Sequence, residues 1–162
     1  YDAADRVHEL ARAAARLARE VADAAPHPVV VAGSVGPTGE LMVPLGPLDE
    51  AGAIAAFREQ IDGLADGGVD VIWIETMSST EEVHAAAAAA IEVGLPYVVT
   101  CSFDTAGRTM MGLLPAQLSE VLAAEPVAPL AQGANCGVGA PDILVTMLAM
   151  EGAVSPLVCK GN

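Results

Sequence analysis

Short apolar runs recur along this chain, each ending in a polar or glycine-rich break and each separated from the next by a helical pattern. Residues 29–32 (VVVA), 71–74 (VIWI), 97–101 (YVVTC) and 156–159 (PLVC) are such runs, and Pro129, Leu130 and Ala131 lead into a further short one. A strand that is apolar at successive positions has both faces covered, as in a parallel sheet with helices packed on it. Between the runs the spacing turns helical. Val7, Leu10, Ala14, Leu17 and Val21 recur at three- and four-residue steps, which predicts a helix over 2–24 with one apolar face and Pro26 beyond its end. Pro47, Asp49 and Glu50 open a second helix with Ile54, Phe57, Ile61 and Leu64 as its buried stripe, and Gly67 and Gly68 stop it. Ser79 and Glu82 are spaced for a capping box, in which the serine oxygen and the glutamate each satisfy a free helix N–H. An alanine-rich helix follows and ends at Gly94, and Pro115 and Pro141 each start another.

Repeated βα units place the chain in the α/β class with a parallel sheet. Two architectures satisfy the pattern, an open doubly wound sheet and a (β/α)8 barrel. A complete barrel takes about 250 residues. The 162 residues present would then be a partial (β/α)8 TIM barrel, roughly five of eight βα units. In both architectures functional groups sit at the carboxyl ends of the strands. Here those ends carry Gly33 and Ser34, Glu75 and Thr76, Ser102 to Asp104, Asn135 and Cys136, and Lys160 to Asn162.

Composition removes several function classes. Hydrophobic residues at 53% and charged residues at 17% exclude a disordered chain. A formal net charge of −14 repels phosphate backbones and anionic bilayers, so neither nucleic acid nor a membrane is an expected partner. The alanine run at 85–90 is too short for a span of about 20 apolar residues. An odd cysteine count (Cys101, Cys136, Cys159) and a start unlike a signal peptide argue against a disulfide framework and for a reducing, cytoplasmic setting. The chain opens on Tyr1 rather than methionine, and a preceding segment is expected.

Cys136 follows Gly133, Ala134 and Asn135 and precedes Gly137 and Gly139. A thiolate there can bind a soft metal, with glycines allowing close approach, although free cysteine is more often a small buried hydrophobe. No CxxC or HxxxH partner exists, and His8, His27 and His84 fall on helices or before a strand, where surface and capping roles are expected. Glu75 closes a strand, where a carboxylate needs a partner. It either grips a substrate ammonium group or forms a salt bridge in the barrel mouth. The glycine-rich stretch 33–39 either cradles an anion with its N–H groups or makes a tight turn; it is neither a Walker motif nor GxGxxG. Thr100, Ser102 and Asp104 bind a polar substrate or cap the loop after their strand. Cys101 and Cys159 lie inside strand runs, where packing is expected, and Met110 and Met111 are lid or packing residues.

Taken in order, VAGSVGPTGE, DVIWIETMSS, VTCSFDTAGRTMMG, GANCGVG and LVCKGN resemble the homocysteine S-methyltransferase family. The likeness is to forms related to bacterial betaine–homocysteine methyltransferase and to the homocysteine domain of cobalamin-dependent methionine synthase, and it runs over nearly the whole chain. The resemblance implies a (β/α)8 barrel, zinc held by three cysteine thiolates, and zinc-dependent methyl transfer to the thiol of homocysteine, forming methionine. It places Cys136 as the first zinc ligand, in a GxNC motif, and Glu75 as the glutamate that grips the substrate. Gly33, Ser34, Thr100, Ser102, Asn135 and Asn162 become the accompanying substrate-side residues. The donor is left open among betaine, another sulfonium or ammonium compound, and methylcobalamin, and a homo-oligomer is compatible with the pattern.

One departure matters. The GGCCG motif that carries the family's other two zinc cysteines is absent, as are the opening DGxMGT-type strand and the strand after it. Cys101 and Cys159 do not match the missing ligands. The expectation is an incomplete homocysteine-binding barrel domain over 1–162, supplying one metal ligand. The rival readings are another barrel or doubly wound enzyme with a phosphorylated ligand at 33–39, and an inactive fragment.

Overall fold

The computed structural model describes residues 3–137, 139–150, 152–153 and 155–161. Its strands are β1 (Ala32–Val35), β2 (Val71–Met77), β3 (Tyr97–Cys101), β4 (Ala131–Cys136) and β5 (Leu157–Gly161). The helices are α1 (Val7–Asp23), α2 (Glu50–Gly67), α3 (Thr80–Val93), α4 (Pro115–Ala123) and α5 (Ala140–Leu148). All paired strands are parallel, and the sheet order is the chain order, β1-β2-β3-β4-β5. A doubly wound sheet reverses its strand order at a switch point, whereas a barrel adds each strand beside the last. The observed order is therefore that of a barrel arc.

Directly paired residues of a parallel sheet project to the same face. Gly33, Ile72 and Tyr97 share one register row, and Val35, Ile74, Val99 and Gln132 share the next but one. This is the helix-facing side, and Val35, Ile72, Ile74 and Val99 are buried there with Phe57 and Ile61 of α2 and Val83, Ala86 and Ala90 of α3. Ser34, Trp73 and Val98 occupy the opposite, inner face.

Several sequence expectations shift. Strand β1 begins at Ala32, not at residue 29. Asp70, just before β2, takes the Val31 N–H on its Oδ2 at 2.7 Å and gives its own N–H to the Val31 carbonyl at 2.8 Å, so sheet pairing starts only beyond that clamp. Val29 and Val30 are left exposed, and Gly33 and Ser34 become strand rather than loop. The capping box at α3 is half made. Ser79 Oγ accepts the Glu82 N–H at 3.2 Å, but the Glu82 carboxylate turns away to Thr38. Cys101 is buried in β3 as expected, and burial pushes its thiol up to about 12. Cys159 is in a strand but exposed.

The largest shift concerns α1. The expected apolar face is turned outward, with Leu17 67% and Val21 74% exposed. The helix packs instead through Ala15 and Ala22, with Ala11 beside them. The reason lies in α2, which presents Gly63 and Gly67. A Cβ at Gly63 would stand 2.5 Å from the His8 carbonyl oxygen and 3.0 Å from Ala11 Cβ, and one at Gly67 would meet Ala15 Cβ. Only a small-residue face can approach that closely, so alanine spacing outweighs leucine hydrophobicity. Replacing a helical glycine by alanine ordinarily gains about 1 kcal/mol of helix propensity. At Gly63 the overpacking cost of about 1–3 kcal/mol opposes and exceeds it. Gly63→Ala is therefore expected to destabilise the protein, read as a lowered urea midpoint; a raised midpoint would refute the close helix contact.

Candidate active site

A parallel strand alternates its side chains, yet β2 ends with Glu75 and Thr76 both on the inner side. The register explains this. Ile74 pairs with Val99 and Met77 with Cys101, so two residues of β2 oppose the single Thr100 of β3. This is a β-bulge, and bulges re-aim side chains next to active sites. Thr76 takes φ 64° to make it, while Met77 returns to the helix side, fully buried.

Glu75 is held from two sides. Ser34 Oγ donates to its Oε1 at 2.6 Å, and Lys160 Nζ donates to its Oε2 at 3.0 Å. These partners come from β1 and β5, at opposite edges of the sheet. Desolvation by burial drives the Glu75 pKa upward, but the Ser34 and Lys160 bonds and the Lys160 charge outweigh it, leaving the carboxyl below its ordinary value. The barrel-mouth salt bridge is thus present. Lys160 is 64% exposed, so its side chain is free to leave.

Asn135 links two strands that are not neighbours. Its Oδ1 accepts the Thr76 N–H at 2.8 Å, and its Nδ2 donates to Thr76 Oγ1 at 2.7 Å and to Cys136 Sγ at 3.2 Å. The amide thus reaches from β4 across β3 to the bulge. Cys136 is half-buried, with φ 59°, and a Cβ on the following Gly137 would meet nothing within 4 Å.

The other expected site residues are dispersed. Gly33 faces α2, where a Cβ would lie 2.9 Å from Leu64 Cδ1, so the missing side chain makes room for the helix. Thr100 is fully buried and its hydroxyl donates to the Ile74 carbonyl at 3.4 Å. Ser102 is buried beneath the rim, its N–H donating to the Met77 carbonyl at 3.1 Å. Asn162 lies outside the described residues. The histidines are in the outer layer: His8 beside Asp66, His27 beside the Pro28 carbonyl, and His84 between Glu50 and Glu125.

Two loops wall the rim. The one after β1 is fixed by Glu82, 5% exposed, whose Oε1 accepts both the N–H and the hydroxyl of Thr38. That carboxylate uses an N–H that an anion site would need, and its charge repels phosphate. The loop after β3 is pinned by Thr109, whose hydroxyl donates to the Ser78 carbonyl at 2.6 Å. Between them opens a cavity of about 650 Å³, with Thr76 and Ser102 at one side and Met42, Met110 and Met111 in its walls. Thr76 and Lys160 were read from the sequence only as strand-end positions and Glu82 only as a capping residue, so their contacts here were missed. Two consecutive polar residues ending an apolar strand were the available sign of the bulge, whereas the Glu82 contact was hidden behind its capping spacing.

The family model described as homocysteine S-methyltransferase matches residues 1–162. The chain belongs to this family. Among its relatives by sequence is the methionine synthase of Mycobacterium leprae (strain TN), 31% identical over 149 residues. The methionine synthase of Mycobacterium tuberculosis (strain ATCC 25618 / H37Rv) is 32% identical over 149 residues. Each comparison takes in 86% of this chain and 12% of the relative's length. The apo form of the homocysteine methyltransferase MmuM from Escherichia coli superposes with a TM-score of 0.83 at 23% identity, over 98% of this chain and 61% of that one. Its metallated form gives 0.80 at 24% identity, over 96% and 58%. These structures share the fold, which establishes the sheet as part of a TIM barrel.

For a carboxyl whose folded pKa is depressed, the stabilisation is fully present above the ordinary carboxylate value and is lost as pH falls through the folded value. Lys160→Gln is expected to move the Glu75 titration upward. Its stability cost above that range is expected to be at most about 1 kcal/mol because the lysine is exposed, and to vanish on acidification. Carboxyl NMR titration and urea melts across pH read both; an unmoved Glu75 would show that the ion pair does not form in solution.

Proposed function

We propose that this chain is part of a homocysteine-binding barrel domain, over residues 1–162, in an enzyme that transfers a methyl group to the sulfur of homocysteine to form methionine. The observation that carries this reading is the convergence of Glu75, Asn135 and Cys136 on one rim, joined by the bulge in β2. Family membership over the whole chain supports it.

Cys136 has the chemistry of a ligand for zinc: a soft sulfur, half-buried, at a strand end with open space after it. Among the described residues, no group of three His, Cys, Asp or Glu side chains is placed to hold a metal. Among the described residues the reading rests on Cys136 alone, and the resemblance assigns two further cysteines to a GGCCG segment that this sequence does not contain. A metallated form of the Escherichia coli relative supports a metal at such a site. When bound, zinc keeps an entering thiol deprotonated at neutral pH.

The chain's own residues then position the substrate. Glu75 takes the homocysteine ammonium group in the place now held by Lys160 Nζ, and Ser34 fixes the other carboxylate oxygen. Holding the amino group aims the sulfur, which converts binding energy into orientation. The cavity beside Thr76 and Ser102 gives room for an activated methyl donor, whether betaine, another sulfonium or ammonium compound, or methylcobalamin.

In the full-length protein Cys136→Ser is expected to lose zinc and activity together, while Cys101→Ser and Cys159→Ser keep zinc. Glu75→Gln is expected to keep zinc but weaken homocysteine binding by about 10–100-fold, the worth of a charge-assisted hydrogen bond. Metal analysis and calorimetric titration with homocysteine read these outcomes. Stoichiometric zinc in the Cys136→Ser protein would refute the assignment.

A further inference from the structure

Thr76 is β-branched, yet it sits at φ 64°, a left-handed conformation that such residues rarely adopt. Strain of this kind persists where the surrounding structure imposes it, and it gathers at functional sites. A glycine would make the same bulge without strain and would still offer its N–H to Asn135 Oδ1. What threonine adds is its hydroxyl.

That hydroxyl has a defined task. Its oxygen accepts the Asn135 Nδ2–H at 2.7 Å, so its own hydrogen points elsewhere. Among the described residues the group it faces is Cys136 Sγ, 4.0 Å away, at the outer limit for sulfur, and a thiolate there can only accept, which makes the hydroxyl the donor once Cys136 is deprotonated. Asn135 Nδ2 donates to the same sulfur at 3.2 Å. Asn135 and Thr76 thus form a closed triangle with Cys136, built from one strand end and one bulge.

We propose that Thr76 is a positioning residue for the Cys136 sulfur, its hydroxyl donating the second hydrogen bond that fixes the thiolate's direction and draws off part of its charge. The proposal rests on the reading of Cys136 as a metal ligand. Donors to a ligating atom orient it and tune the metal, and their loss typically costs about 10–100-fold in metal affinity.

The test uses the full-length protein and the variants Thr76→Val, Thr76→Gly, Thr76→Ser and Cys136→Ser. Valine keeps the shape and the strain, glycine releases the strain, and both delete the hydroxyl; serine retains it. Zinc affinity is read by chelator competition, and the sulfur by the thiolate-to-metal charge-transfer band of the cobalt(II)-substituted protein. The expected result is a loss of affinity of about 10-fold in both the valine and glycine variants, near-parent affinity in the serine variant, and a band moved to longer wavelength only where the hydroxyl is gone. Should valine prevent folding, the unstrained glycine variant carries the comparison. Parent-like affinity and band in Thr76→Gly would overturn the proposal while leaving Cys136 as ligand, provided Cys136→Ser has lost its metal. Retention of stoichiometric zinc by Cys136→Ser would overturn the site and this proposal together.

Discussion

One inserted residue in β2 governs the rim. Parallel pairing alone would send Glu75 inward and Thr76 toward the helices. The bulge between Ile74 and Met77 keeps both on the inner side and returns Met77 to the core. The polar side chains that cross between strands at the rim then attach to these two residues. Ser34 and Lys160 close on Glu75, and Asn135 closes on Thr76. Four of the five strands therefore meet through side chains, although only neighbours meet through the backbone. The fifth, β3, contributes the buried Thr100 hydroxyl to the sheet rather than to the rim.

Charge follows the same arrangement. A half-buried carboxylate is costly unless something compensates it. Here a hydroxyl and an exposed ammonium do so, and they differ in kind. Ser34 is held by a short strand. Lys160 sits on a long flexible stem whose charge prefers water. A partner of that kind compensates the carboxylate when the site is otherwise vacant of cations and yields when another cation takes its place.

The strand bodies, the helix starts at Pro115 and Pro141, and the rim positions of Glu75 and Cys136 were legible in the sequence, because runs of apolar residues, proline positions and strand ends are local signals. What depends on a neighbour was not. The start of β1 is set by Asp70, thirty-odd residues away along the chain, and so its register could not be read from VVVA. The stripe of Leu10, Leu17 and Val21 has the right period, but its burial was decided by glycines in α2. Glu82 has capping spacing and a different partner. Thr76 and Lys160 acquire their roles only when the arc brings β2, β4 and β5 together.

The contact between α1 and α2 has a mechanical side. Where backbone meets backbone at Gly63 and Gly67, no side chain can change rotamer to absorb a displacement. The next link runs through a buried side chain, since Leu64 of the same helix fills the space left by Gly33 in β1. Ser34 follows Gly33 directly and holds Glu75. A load applied to the outermost helix is therefore passed on through close packing toward the carboxylate, and α1, far from the rim, acts as a buttress for its alignment.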